Sequence, residues 1–335
     1  MISGIKLFGK YLDQPLLVEK YKKAVTPLFI GGASLYGINE VRKAPDKEKK
    51  KTAINMASVL TMTTASALCA PKITAKIMKQ PYKKYNTSQI IKQNTELVDT
   101  FINSQENKIS LSQNVLDILE KSKNHVLKFK EIKTLGKGLS HVNGGKTLFD
   151  RLIPEPENIS AKDIKNEIGR LSLYGFIPIA GGVAGGILGD VLTEKKVTKE
   201  KMSDRIKEGS YQYLANIFLC NVGAGLALAG FEKMNIKSKM ARAVGMVGGI
   251  VATGIVGGSS IANYIGKKVI NPLFDGKNTK STERKPEAMD ICLHTDDIVT
   301  VAVMSGLKWI EPALPILYGI SGYRSGIGYR NGEKN

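Results

Sequence analysis

Three ionisable side chains fall inside stretches that are otherwise apolar, and they are the first candidates for chemistry. Asp190 closes a glycine-rich run, and Lys308 and Glu311 lie three residues apart, on one face of a helix. Charged groups in an apolar, membrane-like environment are costly, so they usually pair or line a water-filled path. Two prolines follow Glu311, and a broken helix with an ion pair suits a transport path. The alternative is that Asp190 marks the end of one segment and that 298–322 is two shorter elements.

A second set of polar donors precedes the last apolar stretch, and its members are Asp290, Cys292, His294, Asp296 and Asp297. Such donors suit a soft or borderline metal. Their spacing matches no closed metal site, however, and an acidic helix start explains the last two. The three cysteines of the chain form no CxxC pair. We therefore expect no metal site and no cofactor.

Short stretches that resemble catalytic signatures each lack an essential residue. The sequence GISGYRSG at 319–326 is similar to the GxSGxxxG motif of rhomboid-type intramembrane serine proteases. That family pairs its serine with a histidine on a later span, and this chain has no histidine after His294. The sequence GGKT at 144–147 resembles the end of a phosphate-binding loop, but Ser140 occupies the first glycine position. We expect no enzymatic activity.

Glycines recur at intervals of four in the apolar stretches of the C-terminal half. The residues that we expect to pack helices closely are Gly181, Gly185, Gly189, Gly245, Gly249, Gly254 and Gly258. Positions four apart share one helix face, and small residues there let two helix backbones touch. The spacing predicts close packing, but it does not separate packing within one chain from packing between copies. The GxGxxG spacing of a dinucleotide site is absent.

The apolar stretches that carry these residues are long enough to cross a bilayer. Residues 171–192, 209–231, 243–266 and 298–322 span 22 to 25 positions each, and a bilayer core needs about 20 helical residues. The stretch 243–266 shows no polar stripe, which a helix at the surface of a soluble core would have. We therefore predict transmembrane helices here, although the two charges within 298–322 weaken the case for that segment.

Two further apolar segments lie near the N-terminus. Residues 24–38 are apolar over only 15 positions, whereas 52–70 runs for 19 without a charge. The second segment is rich in serine and threonine, whose hydroxyls can bond to their own helix backbone. We expect Pro71 to end it.

The resulting prediction is an all-α chain, a multi-pass transmembrane helical bundle with a small helical extramembrane domain. The predicted parts are an amphipathic helix (1–23), a hydrophobic hairpin (24–70), a polar, basic helical region (71–170), a three-span core (171–266), a polar loop (267–297) and a last span with its tail (298–335). The first part suits a membrane-surface helix and an ordinary soluble helix equally well.

Charge favours a lipid partner over nucleic acid. The chain has 49 Lys and Arg against 30 Asp and Glu, a formal net charge of +19. The basic residues crowd beside the apolar segments, where anionic headgroups lie, and few aromatics accompany them for base stacking. With six alternating spans the loops carry 18 basic residues on one side and 21 on the other, so the positive-inside rule assigns no orientation.

These features favour a structural, scaffold or membrane-organising protein of the integral membrane, with a homo-oligomer through its glycine faces as one arrangement. The alternative is a transporter or channel subunit that uses Asp190, Lys308 and Glu311. A third hypothesis is an effector that is soluble until it inserts into lipid, as glycine-rich hairpins can.

Overall fold

Every regular element among the described residues is helical, and no strand occurs in that part of the chain. The computed structural model describes residues 10–12, 14–79, 86–104, 111–153, 161–194, 196–236, 239–274 and 311–328. The prediction of an all-α chain is confirmed for these residues.

The helices follow one another with short connections. They are α1 (Pro15–Lys43), α2 (Lys49–Ile77), α3 (Thr87–Asn103), α4 (Gln113–Ser122), α5 (Phe129–Leu139), α6 (Gly145–Leu152), α7 (Ala161–Glu194), α8 (Lys199–Tyr213), α9 (Leu219–Lys233), α10 (Lys239–Ile250), α11 (Gly257–Ile265), α12 (Asn271–Phe274) and α13 (Leu314–Ile327). Single π-helical turns lie at Leu214–Phe218, Val251–Val256 and Gly266–Ile270, and a 3₁₀ turn lies at Glu311–Ala313.

The chain divides into two compact units. The first comprises Met1–Ala24, Lys83–Asn158 and Gly306–Pro312, and the second comprises Val25–Tyr82, Ile159–Ser305 and Ala313–Asn335. The first unit contains α3 to α6, and the second contains α2 and α7 to α13. Each unit is described separately below.

The first unit is a small bundle of amphipathic helices. On α5, Ile132, Leu135 and Leu139 follow helical spacing and are buried, while lysines fill the opposite face. Apolar residues of α3, α4 and α6, together with Leu127 and Ile153 just outside the helices, complete one core. It consists of Val98, Val115, Ile118, Leu119, Leu127, Ile132, Leu135, Leu139, Leu148, Phe149, Leu152 and Ile153. Helix α4 packs on α3 and α5, and α6 packs on the same two helices.

The N-terminal segment belongs to this first unit through two buried polar residues. Lys10 is 1% exposed, and its Nζ lies 2.7 Å from Asp150 Oδ1 and 4.5 Å from the centre of the Phe149 ring. The Gln14 side chain accepts from Leu127 N at 2.8 Å and donates to Leu127 O at 2.9 Å. These contacts attach Lys10 and Gln14 to the core of the first unit.

Among the described residues of the second unit, four helical stretches are long and apolar enough to cross a membrane. They are Lys49–Ile77, Asp163–Glu194, Lys199–Lys233 and Val244–Leu273, with mean hydropathies of 1.4 to 1.7 over their most apolar windows. The segments expected at 52–70, 171–192, 209–231 and 243–266 each coincide with one of these stretches. Residues 24–38 lie in α1, which is not among the four.

Helix α2 differs from the expectation at Pro71, and the last predicted span is described only in part. Helix α2 does not end at Pro71 but continues to Ile77, because the burial of Ala70 and Thr74 offsets the loss of one backbone donor. Residues 298–310 of the last predicted span lie outside the described residues. The α-helix that follows begins only at Leu314 and is 14 residues long, shorter than a bilayer core requires.

The second unit is built around α7. This helix packs against α2, α8, α9 and α13. Contacts of Gly181 with Ser66 and of Gly189 with Asn55 make α2 antiparallel to α7, whereas Gly182 lies beside Gly322 and Gly186 beside Gly326. Helix α13 therefore runs parallel to α7. If six spans alternated in direction, α7 and α13 would be antiparallel. The comparison of basic residues in alternate loops assumed that alternation, so it does not apply.

Candidate functional site

A buried ion pair joins three helices at one end of the second unit. Asp190 lies near the end of α7, and Arg205 lies two turns into α8; the Arg205 side chain is 9% exposed and that of Asp190 is 2% exposed. Arg205 Nη1 donates to Asp190 Oδ2, and Arg205 Nε donates to Gly326 O at 2.8 Å. Since Gly326 belongs to α13, one guanidinium holds α7, α8 and α13 together.

The pair continues outward to the surface through a second carboxylate. Lys201 Nζ lies 3.8 Å from Asp190 Oδ1, and Glu194 Oε1 accepts from Lys201 at 2.5 Å and lies 2.7 Å from Lys51 Nζ. These three outer side chains are 23% to 50% exposed. Thr198 starts α8 next to them, since its hydroxyl accepts from Lys201 N at 3.3 Å. The charged network therefore connects partly exposed side chains at the surface with the buried carboxylate of Asp190.

The same face of α8 carries buried polar groups further inward. Glu208 is 2% exposed, and Arg324 Nε of α13 lies 3.4 Å from Glu208 Oε1. Gln212 Nε2 donates to that carboxylate at 2.8 Å, and Asn216 Nδ2 donates to Gln212 Oε1 at 2.9 Å. The rise of a helix places Asn216 about 16 Å from Arg205 along the axis. We call Asp190, Arg205, Glu208, Arg324, Gln212 and Asn216 the polar row.

The polar row is electrically balanced. Asp190 and Glu208 are each paired with one arginine, and the inner amides use hydrogen bonds rather than charge. A lone buried charge would be strongly destabilising, whereas a pair with good hydrogen bonds is tolerated. The arrangement can hold helices in register, and it also provides titratable groups inside an apolar bundle.

Glycines on two sides of α7 lie where no larger side chain fits. A Cβ on Gly185 would lie 2.7 Å from Ser58 O, and one on Gly189 would lie 2.6 Å from Asn55 Oδ1, both on α2. On the other side, a Cβ on Gly326 would lie 2.5 Å from Gly182 O. Real Cβ atoms essentially never approach within 3.0 Å, so the backbones of α7, α2 and α13 are in direct contact.

The remaining glycines singled out from the sequence lie at helix contacts in the same unit. A Cβ on Gly249 would lie 2.8 Å from Gly223 C, and one on Gly258 would lie 2.9 Å from Ala215 Cα. Gly254 faces Cys220, and Gly245 faces the Phe231 ring. These faces are thus occupied within the chain. The described glycines at which an added Cβ would meet no atom within 4 Å are Gly31, Gly32, Gly230, Gly248 and Gly266.

Two of the three residues predicted for a transport path, Asp190 and Glu311, lie among the described residues. Asp190 takes part in the polar row. Lys308 lies outside the described residues, and so does its predicted pair with Glu311. Glu311 opens a 3₁₀ turn in the first unit, whereas Asp190 belongs to the second.

The other sets considered for chemistry give no catalytic arrangement among the described residues. The cluster at 290–297 lies outside them, and the described part of the chain holds no group of three His, Cys, Asp or Glu that could bind a metal. Ser321 is 1% exposed, and its Oγ has no hydrogen-bond partner among the described residues. Gly322 and Gly326 of the same stretch lie against the α7 backbone, so this motif packs a helix.

An apolar groove runs along the outside of α7 and α8, close to the polar row but not lined by it. Its volume is about 480 Å³, and its walls include Phe176, Val183, Ile206 and Tyr213. Its lining among the described residues contains no charged side chain.

Sequence reasoning missed most of the polar row. The expected span began at Gly209, which left Arg205 and Glu208 in a connector, although the helix runs back to Lys199. The signal present in the sequence was the four-residue spacing of Glu208, Gln212 and Asn216, which places them on one face.

No protein-family model matches the chain, and no curated protein or solved structure matches it either.

Proposed function

We propose that this chain is a multi-pass integral membrane protein with a structural, membrane-organising role, in which α7 and its neighbours form a rigid scaffold. The observation that carries the proposal is the backbone contact of α7 with α2 on one side and with α13 on the other. In lipid, helices gain little from hiding apolar surface, so close van der Waals packing stabilises a bundle. Two glycine rows on one helix supply that packing in two directions.

Exposed apolar residues on the second unit support its placement in lipid. Leu226 and Val244 are 64% and 65% exposed, and Leu192 is 58% exposed. In water these side chains would form an unfavourable surface, whereas acyl chains would cover them without cost. The paired charges of the polar row fit the same proposal, because they fix helix positions while leaving no net charge inside.

A glycine substitution with a matched control tests the scaffold. Gly182→Leu should force α7 away from α13 and destabilise the protein by about 3 kcal/mol. A Cβ at Gly248 would meet no atom within 4 Å, so Gly248→Leu should be close to neutral. The measurement is the temperature at which purified protein in mild detergent loses its single gel-filtration peak. Equal melting of the two variants would contradict a scaffold that depends on backbone contact.

Transport is the second candidate, and the buried carboxylates of the polar row favour it. Ionisable groups inside a membrane bundle commonly lie on ion or proton pathways. The scaffold proposal predicts that proteoliposomes carrying the chain show no proton or alkali-cation flux above that of empty liposomes. A flux that Glu208→Gln abolishes would contradict the scaffold proposal and show that the chain is a transporter.

A further inference from the structure

Helix α5 of the first unit presents an unopposed basic face. Lys130, Lys133 and Lys137 are exposed and lie within about 60° of one another around the helix axis, at 3.6 residues per turn. The opposite side holds Ile132 and Leu135, both fully buried. The fold therefore fixes which way the three lysines point, since the apolar side must face the core.

The acidic residues nearby are already engaged. Residues 121–151 contain eight Lys and Arg against two acids, Glu131 and Asp150. Glu131 pairs with Lys121 at 2.5 Å and accepts from Lys128 N at 2.6 Å, and Asp150 pairs with Lys10 at 2.7 Å. The three face lysines form no ion pair with any other described residue. Like charges on one face repel, and a polyanion would relieve that repulsion.

An apolar side chain borders the basic face. Phe129, the first residue of α5, is 38% exposed although the rest of the apolar side is covered. Lysines beside a partly exposed aromatic ring are typical of helices that rest on the headgroup layer of an anionic membrane. Nucleic acid would use the same charges, but a membrane-embedded chain already lies next to a dense array of lipid phosphates.

We propose that the face of α5 formed by Lys130, Lys133 and Lys137 binds the anionic phospholipid headgroups of the bilayer that holds the chain. This inference rests on the proposed membrane location, and it adds the lipid class and the residues that recognise it. Each lysine near an anionic surface contributes an attraction that corresponds to about a fivefold change in occupancy.

Lysine protection in nanodiscs tests the proposal on the full chain. Discs of phosphatidylcholine are compared with discs in which about a third of the lipid is phosphatidylglycerol, a surface negative enough to attract lysines. A water-soluble acetylating reagent marks free amines, and mass spectrometry reads each site. Acetylation of the three lysines should fall about fivefold in the anionic discs and recover at high salt. Lys92 on α3 is 78% exposed and should react equally in both.

A matched pair of variants separates headgroup binding from a nonspecific slowing of amide hydrogen exchange in anionic discs. The triple variant Lys130→Gln, Lys133→Gln, Lys137→Gln alters only exposed side chains, so it should fold. Amide hydrogen exchange along α5 should slow in anionic discs for the wild type and for Lys92→Gln, but not for the triple variant. The same slowing in the triple variant would overturn the assignment of these lysines.

Two other outcomes would overturn the proposal in distinguishable ways. If the chain enters both kinds of disc but the three lysines react equally, the headgroup site is wrong while the membrane location stands. If the chain fails to enter discs at all, the membrane location fails first. Protection by added DNA duplex, with none from phosphatidylglycerol, would assign the face to nucleic acid instead.

Discussion

Arg205 is the residue on which the end of the second unit depends. Its guanidinium donates to Asp190 on α7 and to the Gly326 carbonyl on α13 while its own backbone belongs to α8. A planar guanidinium can satisfy acceptors from two directions at once, which a lysine ammonium cannot do in fixed geometry. The same contact explains why α13 lies parallel to α7, with its C-terminal turn at the Asp190 end.

Removing Arg205 should leave the buried Asp190 carboxylate without its hydrogen-bonded partner and with only Lys201, at 3.8 Å, as a cationic neighbour. We expect Arg205→Met to destabilise the protein by about 3–5 kcal/mol, measured as a lower temperature for loss of the gel-filtration peak. The control is Asp46→Asn, which breaks the exposed Lys49–Asp46 pair at 2.6 Å and should cost less than about 1 kcal/mol. The double variant Asp190→Asn, Arg205→Met should recover much of the loss. A single variant as stable as the control would contradict the buried pair.

The carboxyl group of Glu131 should make the stability of the first unit depend on pH, and the sign of that dependence follows from its contacts. Burial favours the neutral carboxyl, but hydrogen bonds from Lys121 Nζ and Lys128 N outweigh it and hold the pKa of Glu131 below its ordinary value of 4.5. Because the pKa of Glu131 is lower in the folded chain than in the unfolded chain, its carboxylate stabilises the fold at pH values above the unfolded-state pKa. That stabilisation is lost as the pH falls through the folded-state pKa.

Comparison with a neutral variant isolates this effect. At neutral pH, α5 amides should exchange faster in Glu131→Gln than in the wild type, and the difference should shrink as the pH falls below 4.5. Hydrogen exchange read by mass spectrometry provides the measurement. Glu96→Gln, which alters a pair exposed on both sides, should show no such difference. If the difference in exchange rate between the variant and the wild type persists in acid, the ionised carboxylate of Glu131 does not cause it.

At the scale of elements, the π turns show how two long helices fit together. The turn at Leu214–Phe218 and that at Val251–Val256 pack against each other, and a π turn leaves carbonyls without their usual intrahelical donors. Thr253 Oγ1 lies 2.7 Å from Leu219 O and 2.9 Å from Gly249 O, so its one hydroxyl proton is donated to one of these carbonyls or shared between them. One hydroxyl thus joins α9 to the helix that packs on it.

Thr253→Val should therefore weaken this helix pair while keeping its shape. Loss of the hydroxyl removes the one donor that the carbonyls of Leu219 and Gly249 share, and we expect a cost of about 1 kcal/mol. Thermal melting in detergent measures it, with the exposed Thr61→Val on α2 as the control for threonine replacement. An equal melting temperature for the two variants would show that the Thr253 bonds contribute nothing.

The sequence predicted the existence of the long helices better than their ends. Apolar length alone placed spans at 171–192 and 243–266, because a run without a polar stripe has few alternatives to burial in lipid. The start of α8 was misplaced by ten residues, since the polar segment from Lys199 looked like a connector. Pro71 does not end α2, because neighbouring helices can stabilise a helix that lacks one backbone bond.

At the scale of the whole molecule, helix order along the chain did not determine helix direction in space. Alternation is the simplest expectation for six spans, yet α13 runs parallel to α7. The sequence likewise does not show that Arg205 pairs with Asp190, because the two side chains meet only where α8 packs against α7. Glycine spacing indicated that α7 packs closely, but which helix meets which glycine row depends on the tertiary arrangement.

The proposed membrane-embedded scaffold requires that exposed side chains in the middle of α2 meet lipid rather than water. Thr61 is exposed near the centre of this helix, and Asp46 lies in the connector before it, 91% exposed. Single cysteines at these two positions are compared for their reaction with a charged, membrane-impermeant maleimide, in membranes opened without detergent. Asp46→Cys should react readily, and Thr61→Cys should stay unmodified until detergent is added, because a thiol in hydrocarbon neither ionises nor meets the reagent. Equal reaction of both cysteines before detergent would place α2 in water and contradict the membrane-embedded scaffold.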